Sequence, residues 1–80
     1  MSDNLFRARE LLAQALETDV AAIGADAAIG VVETWDSLAH MRLVNAIEEN
    51  LGRELSPDAI VSIASVKDVA AILERGADAA

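Results

Sequence analysis

Apolar positions along the chain recur at helical spacing, and no stretch alternates convincingly with a period of two. Leu5, Leu12 and Leu16 share one face with Ala8 between them, which predicts a first helix from Asp3 or Asn4 to Glu17. Ser2, Asp3 or Asn4 could each cap its start. At about 100° per residue, His40, Leu43, Val44, Ile47 and Leu51 form one stripe, predicting a second helix from Ser37 to Leu51. Asp36 and Ser37 supply capping chemistry at its start, and Gly52 stands where a terminating glycine is favoured. A short third helix is expected with Ser56 as cap, Pro57 at the first helical position, and Asp58 to about Ser62 following. The fourth opens at Ser65-Val66-Lys67-Asp68, close to a capping box with Asp in place of Glu. It turns Val66, Val69, Ala70 and Leu73 inward and stops near Gly76.

Between the first two helices lies a long connection, Thr18 to Asp36, holding Gly24 and Gly30 together with Val20, Ile23, Ile29, Val31 and Val32. A loop of that length in a small domain packs its own side chains or serves function. Its apolar content predicts that it is pinned across the helices, with a turn of helix near Ala21–Ile23. The expected class is all-α: a small four-helix bundle of three principal helices and one short one, with a long first loop. The 80 residues make one domain, 1–80, with a folded core over about 3–75 and a flexible tail at 76–80.

Composition narrows the possible functions. Fourteen acidic against six basic residues give a net charge of −8, with no basic cluster to offset it, so nucleic-acid binding is not expected. Phe6 and Trp35 are the only aromatics, too few for a base-stacking platform. An acidic surface favours encounter with basic protein partners, and equally serves to keep an apolar-rich domain soluble. The absence of cysteine excludes thiolate nucleophiles, disulfides and cysteine zinc sites, so any thiol chemistry must come from an attached group. No signal-like start and no spanning segment is visible, which predicts a cytoplasmic protein without membrane insertion.

Two features of the second helix invite a functional reading. Leu38 and Met41 lie off the core stripe, near Asn45 and Glu48. They could centre a docking patch rimmed by Glu48 and Glu49, or be covered by the long loop. Ser37 could be an ordinary helix cap. A helix N-terminus also stabilises a phosphate through unpaired N–H groups and the helix dipole, and a serine there could carry a phosphodiester without straining the fold.

Trp35-Asp36-Ser37-Leu38, followed by an amphipathic helix ending Ile47-Glu48-Glu49-Asn50-Leu51-Gly52, resembles the acyl carrier protein family, whose hallmark is Asp-Ser-Leu at the start of the second helix. The resemblance extends to the acidic loop with Asp26 and Ile29, the Pro57-Asp58 start of the short helix, and Ile63-Ala64-Ser65-Val66. It implies that a phosphopantetheinyl transferase (a holo-carrier synthase) attaches 4'-phosphopantetheine from coenzyme A to the Ser37 hydroxyl, with Asp36 and Leu38 as flanking recognition residues. The arm's thiol would hold an acyl or aminoacyl group as a thioester. A loading ligase or transferase and downstream enzymes of fatty acid, polyketide or nonribosomal peptide biosynthesis would be the partners. Fatty-acid-synthesis carriers commonly place acidic residues two and five positions after the serine, where this chain has Ala39 and Arg42. The resemblance therefore implies a specialised carrier, with a partner surface of Leu38, Met41, Arg42, Asn45, Glu48 and Glu49 and with Arg42 rejecting generic partners.

Asp36, Ser37 and His40 make a superficial hydrolytic set, but three residues at the head of one helix cannot surround a substrate, and no second segment offers an oxyanion site. His40 is expected to be a partly buried structural histidine, not a metal ligand, so neither an enzyme nor a metal site is expected. The rival reading is an unmodified acidic helical interaction module. Trp35 could shield the base of the arm or anchor the loop. Small residues Ala46, Ala59, Ala64 and Ala70 would permit an internal cavity for the cargo. A shuttle of this kind is expected to be monomeric.

Overall fold

The computed structural model describes residues 3–24, 26–30 and 32–75. It contains helices α1 (Asp3–Leu16), α2 (Ser37–Leu51), α3 (Pro57–Ser62) and α4 (Val66–Arg75), with a single 3₁₀ turn at Val20–Ala22 in the long first loop. This is the expected all-α bundle. The expected stop near Gly76 and the tail at 76–80 lie outside the described residues, as does Val31.

The predicted caps account for most of the helix boundaries. Asp36, in an extended conformation, accepts a hydrogen bond from the Ala39 N–H at 2.9 Å and is the N-cap of α2. Ser37 is therefore the first residue inside the helix and not its cap. At the other end Gly52 takes the left-handed conformation at φ +73°, where a Cβ would be strained, and its N–H donates to the Glu48 carbonyl at 2.8 Å. Ser56 caps α3 through its hydroxyl, which accepts from the Ala59 N–H at 3.1 Å, and Pro57 follows at a position that needs no N–H donor. The box at α4 is displaced by one residue. Ser65 Oγ accepts from the Asp68 N–H at 3.3 Å, but the Asp68 carboxylate reaches back to the Ala64 N–H at 2.8 Å, not to that of Ser65. Helix α1 ends at Leu16, one residue short of the predicted Glu17. Glu17 turns left-handed at φ 59°, and the Thr18 N–H closes the end on the Ala13 carbonyl at 2.9 Å.

The core is wider on α1 than its stripe of leucines suggests. Ala8, Leu11, Leu12, Ala13 and Ala15 are all buried, because α1 packs against both α2 and α4. On α2 the buried residues are Ala39, Leu43, Val44 and Ile47, and on α4 they are Val66, Val69 and Ile72. Ile72 thus lies deeper than the predicted Leu73, which packs at the margin of the core with Ala70. Each fully buried Leu, Ile or Val contributes about 1.5–3 kcal/mol relative to exposure. Helix α3 buries no residue completely; Ala59 and Ile60 rest against the core from outside.

The first loop is stitched down, as expected, but largely through main-chain groups. Ile29 N–H donates to the Ala64 carbonyl at 2.8 Å, and Val66 N–H to the Ala27 carbonyl at 2.9 Å, so the loop runs beside the segment entering α4. The half-buried Arg9 donates from Nε to the Ile23 carbonyl at 2.7 Å and from Nη2 to the Val20 carbonyl at 3.2 Å, fixing the 3₁₀ turn to α1. Ile23 and Ala27 enter the core, whereas Ile29 stays 42% exposed.

Candidate functional site

Where the stitched loop meets α2, the chain turns inward at Trp35 and outward again at Asp36 and Ser37. Trp35 is only 4% exposed, and its indole N–H donates to His40 Nδ1 at 3.1 Å. The two rings are stacked, with centroids 6.1 Å apart and planes at 23°. The other ring nitrogen of His40, Nε2, lies 3.2 Å from the Ile60 carbonyl on α3. Indole can only donate and a carbonyl can only accept, so the partners assign the neutral Nε2–H tautomer to His40. One imidazole thus ties the residue two before Ser37 to the third helix. Trp35 anchors the loop, and His40 is the partly buried structural histidine expected of it. In the sequence the link is signalled only by the need of a buried indole N–H for an acceptor and by His40 as the nearby side chain on the inward-turned stripe.

This anchoring leaves Ser37 on an ordered stem with an exposed side chain, and no described residue hydrogen-bonds its hydroxyl. The Ala39 N–H is taken by the Asp36 carboxylate and the His40 N–H by the Asp36 carbonyl at 2.9 Å. The amides of Ser37 and Leu38 have no acceptor within the helix, as at any helix start. A nucleophilic oxygen open to solvent, next to two such donors and the positive end of a 15-residue helix, suits a phosphodiester. Asp36 holds the helix start in place through its side-chain cap on the Ala39 N–H.

The remaining residues singled out in the sequence divide into two groups. Leu38 and Met41 are 60% and 57% exposed, so the long loop does not cover them. Asn45 and Glu49 are also exposed on α2. Arg42 meets Glu17 at the end of α1, Nη1 to Oε2 3.6 Å, with both side chains largely in solvent. Such a pair contributes at most about 1 kcal/mol and leaves the guanidinium open to other partners. Glu48 differs. Its Oε2 accepts from the Leu55 N–H at 2.9 Å, pinning the turn between α2 and α3, and the residue is half-buried.

Among the described residues no helix is long and apolar enough to cross a membrane. No curated protein sequence matches the chain. A family model does: that of the phosphopantetheine attachment site matches residues 7–73, from α1 through most of α4. The match includes the exposed serine and the stem that carries it. The family's domains receive 4'-phosphopantetheine covalently and act as carriers, not catalysts. The chain belongs to the phosphopantetheine attachment-site family, and it is a carrier protein of the acyl carrier type.

Proposed function

We propose that Ser37 is the residue that receives the arm, and that the chain is a specialised carrier presenting an acyl or aminoacyl thioester to a dedicated set of enzymes. The observation that carries the first part is the exposed Ser37 hydroxyl at the mouth of α2, which no described residue hydrogen-bonds, on a helix start held by the Asp36 cap and the Trp35–His40 link. A phosphopantetheinyl transferase would add the arm from coenzyme A, with Asp36 and Leu38 as the flanking residues it reads. When attached, the arm supplies the thiol that this cysteine-free chain lacks. The protein's own part is to hold the serine outward, keep its base rigid, and offer a surface to each enzyme in turn.

That surface is Leu38, Met41, Arg42, Asn45 and Glu49, with Glu48 at its edge. Leu38 and Met41 are apolar and exposed beside the serine, as the centre of a docking patch requires. Arg42 places a positive charge in the middle of a helix whose far end is acidic, which favours partners with a matching anion and disfavours uniformly basic ones. Arg42→Glu is expected to improve coupling to enzymes that read acidic carriers, and unchanged discrimination would count against this role.

The attachment reading is tested by incubating the purified chain with coenzyme A and a broad-specificity phosphopantetheinyl transferase and recording its intact mass. A gain of one phosphopantetheine, lost in Ser37→Ala, supports it. No gain with several transferases leaves an unmodified interaction module as the better account.

A further inference from the structure

Next to Ser37 the surface opens into a groove of about 460 Å³, lined by Ile29, Trp35, Asp36, Ser37, His40 and Met41. Its exposed apolar residues come from two elements: Ile29 from the stitched loop and Met41 from the outer face of α2. The stacked Trp35 and His40 rings complete it. The indole N–H and both imidazole nitrogens are already engaged, so this part of the lining has no hydrogen-bonding atom left over. The lining thus favours an apolar occupant, and Asp36 and Ser37 are its polar members.

His40 has a second effect. Its contact with the Ile60 carbonyl clasps α2 to α3 one turn beyond Ser37. In the core Leu43, Ile47, Val66 and Val69 are fully buried. A group attached to Ser37 thus meets a latched seam on the α3 side and an open apolar groove on the loop side.

The geometry points to this groove as the seat of the proximal half of the phosphopantetheine arm, its two geminal methyl groups lying between Ile29 and Met41. The inference rests on Ser37 being the attachment residue. The quaternary carbon bearing those methyls is separated from the Ser37 oxygen by only a phosphorus, an oxygen and a methylene, so the tether keeps it within reach of the groove at high effective concentration. Burying the methyls against Ile29 and Met41 removes apolar surface from water on both sides. The arm then lies along the outside of the bundle, the seam between α2 and α3 stays closed, and the thiol end projects toward the Leu38 and Met41 face where enzymes dock.

The test is an isotope-filtered NOE experiment on uniformly ¹³C-labelled protein carrying an arm from unlabelled coenzyme A, with the modified residue first identified by mass. The expected result is cross-peaks from the arm's methyl protons to the Ile29 and Met41 side-chain methyls. In the Ile29→Lys/Met41→Lys variant, folded by circular dichroism, those peaks are lost and the arm methyls relax as freely as in coenzyme A. Ser37 modified but with no contact to Ile29 or Met41 in the parent protein overturns the groove alone. Cross-peaks to Ile60 and Ile63 do the same, by placing the arm between the helices. An arm found on any other residue overturns the attachment reading and the groove together.

Discussion

Replacing His40 by Phe isolates what the Trp35–His40–Ile60 link contributes. Phenylalanine keeps an aromatic ring of similar size against Trp35, so stacking and volume are largely retained while both hydrogen bonds are removed. Trp35 is 4% exposed, so its indole N–H cannot turn to water, and leaving a buried donor unmatched costs about 1–3 kcal/mol. The Ile60 carbonyl is on a half-buried residue where water can substitute, and its loss adds about 0.5–1 kcal/mol. Together these give a loss of roughly 1.5–4 kcal/mol, against a total stability of roughly 3–5 kcal/mol for a domain of this size. With a urea dependence near 1 kcal/mol per molar, the midpoint falls by about 1.5–4 M. Trp35 is the only tryptophan, so its fluorescence reports the loop directly, while far-ultraviolet circular dichroism reports the helices. A His40→Phe protein within about 0.5 kcal/mol of the parent would show that the variant holds no unmatched buried indole and that the link contributes little. His40→Ala, which also opens a void, should be less stable than the Phe variant.

The cap at α2 separates stability from recognition. Asp36→Ala should cost about 0.5–2 kcal/mol, whereas Asp36→Asn keeps an acceptor for the Ala39 N–H and should be nearly neutral in a urea melt. If transferase rates fall with Asn as much as with Ala, it is the charge that the transferase reads. Arg9→Met removes two hydrogen bonds from a charged group to the 3₁₀ turn, and should cost about 1–3 kcal/mol and speed amide exchange over 18–36 first; exchange unchanged there would show that the loop is held elsewhere.

The parts of the fold legible in the sequence are those set by local chemistry. Asp36 and Gly52 bracket α2 at the predicted residues because a side-chain acceptor and a left-handed glycine are properties of single positions. Ser56-Pro57 marks α3 for the same reason. At Ser37 the sequence allows either it or Asp36 to cap, and only the backbone geometry assigns the cap to Asp36 and leaves the serine's hydroxyl without a partner among the described residues. Burial of Leu11 and Ala15 was not legible, because a helix between two neighbours hides more than one stripe and the neighbours are chosen by tertiary packing. The loop's stitching is legible only in outline, since Ile29 to Ala64 and Val66 to Ala27 are main-chain bonds with no side-chain signature. Glu48 looked like surface charge by its place on the helix, and its bond to the Leu55 N–H depends on where the following turn folds.

Fragmentation of the modified protein locates the arm residue by residue. Trypsin releases residues 10–42 as one peptide, which holds Thr18, Thr34 and Ser37 as its only hydroxyl-bearing side chains. Thr34 is also exposed and only three residues from Ser37, so a mass gain on the peptide alone does not decide between them. Phosphopantetheine transferred from coenzyme A is expected to map to Ser37, with fragment ions through Asp36 unshifted. An arm mapped to Thr34, or a Ser37→Ala protein that is still modified at the parent rate, would contradict it.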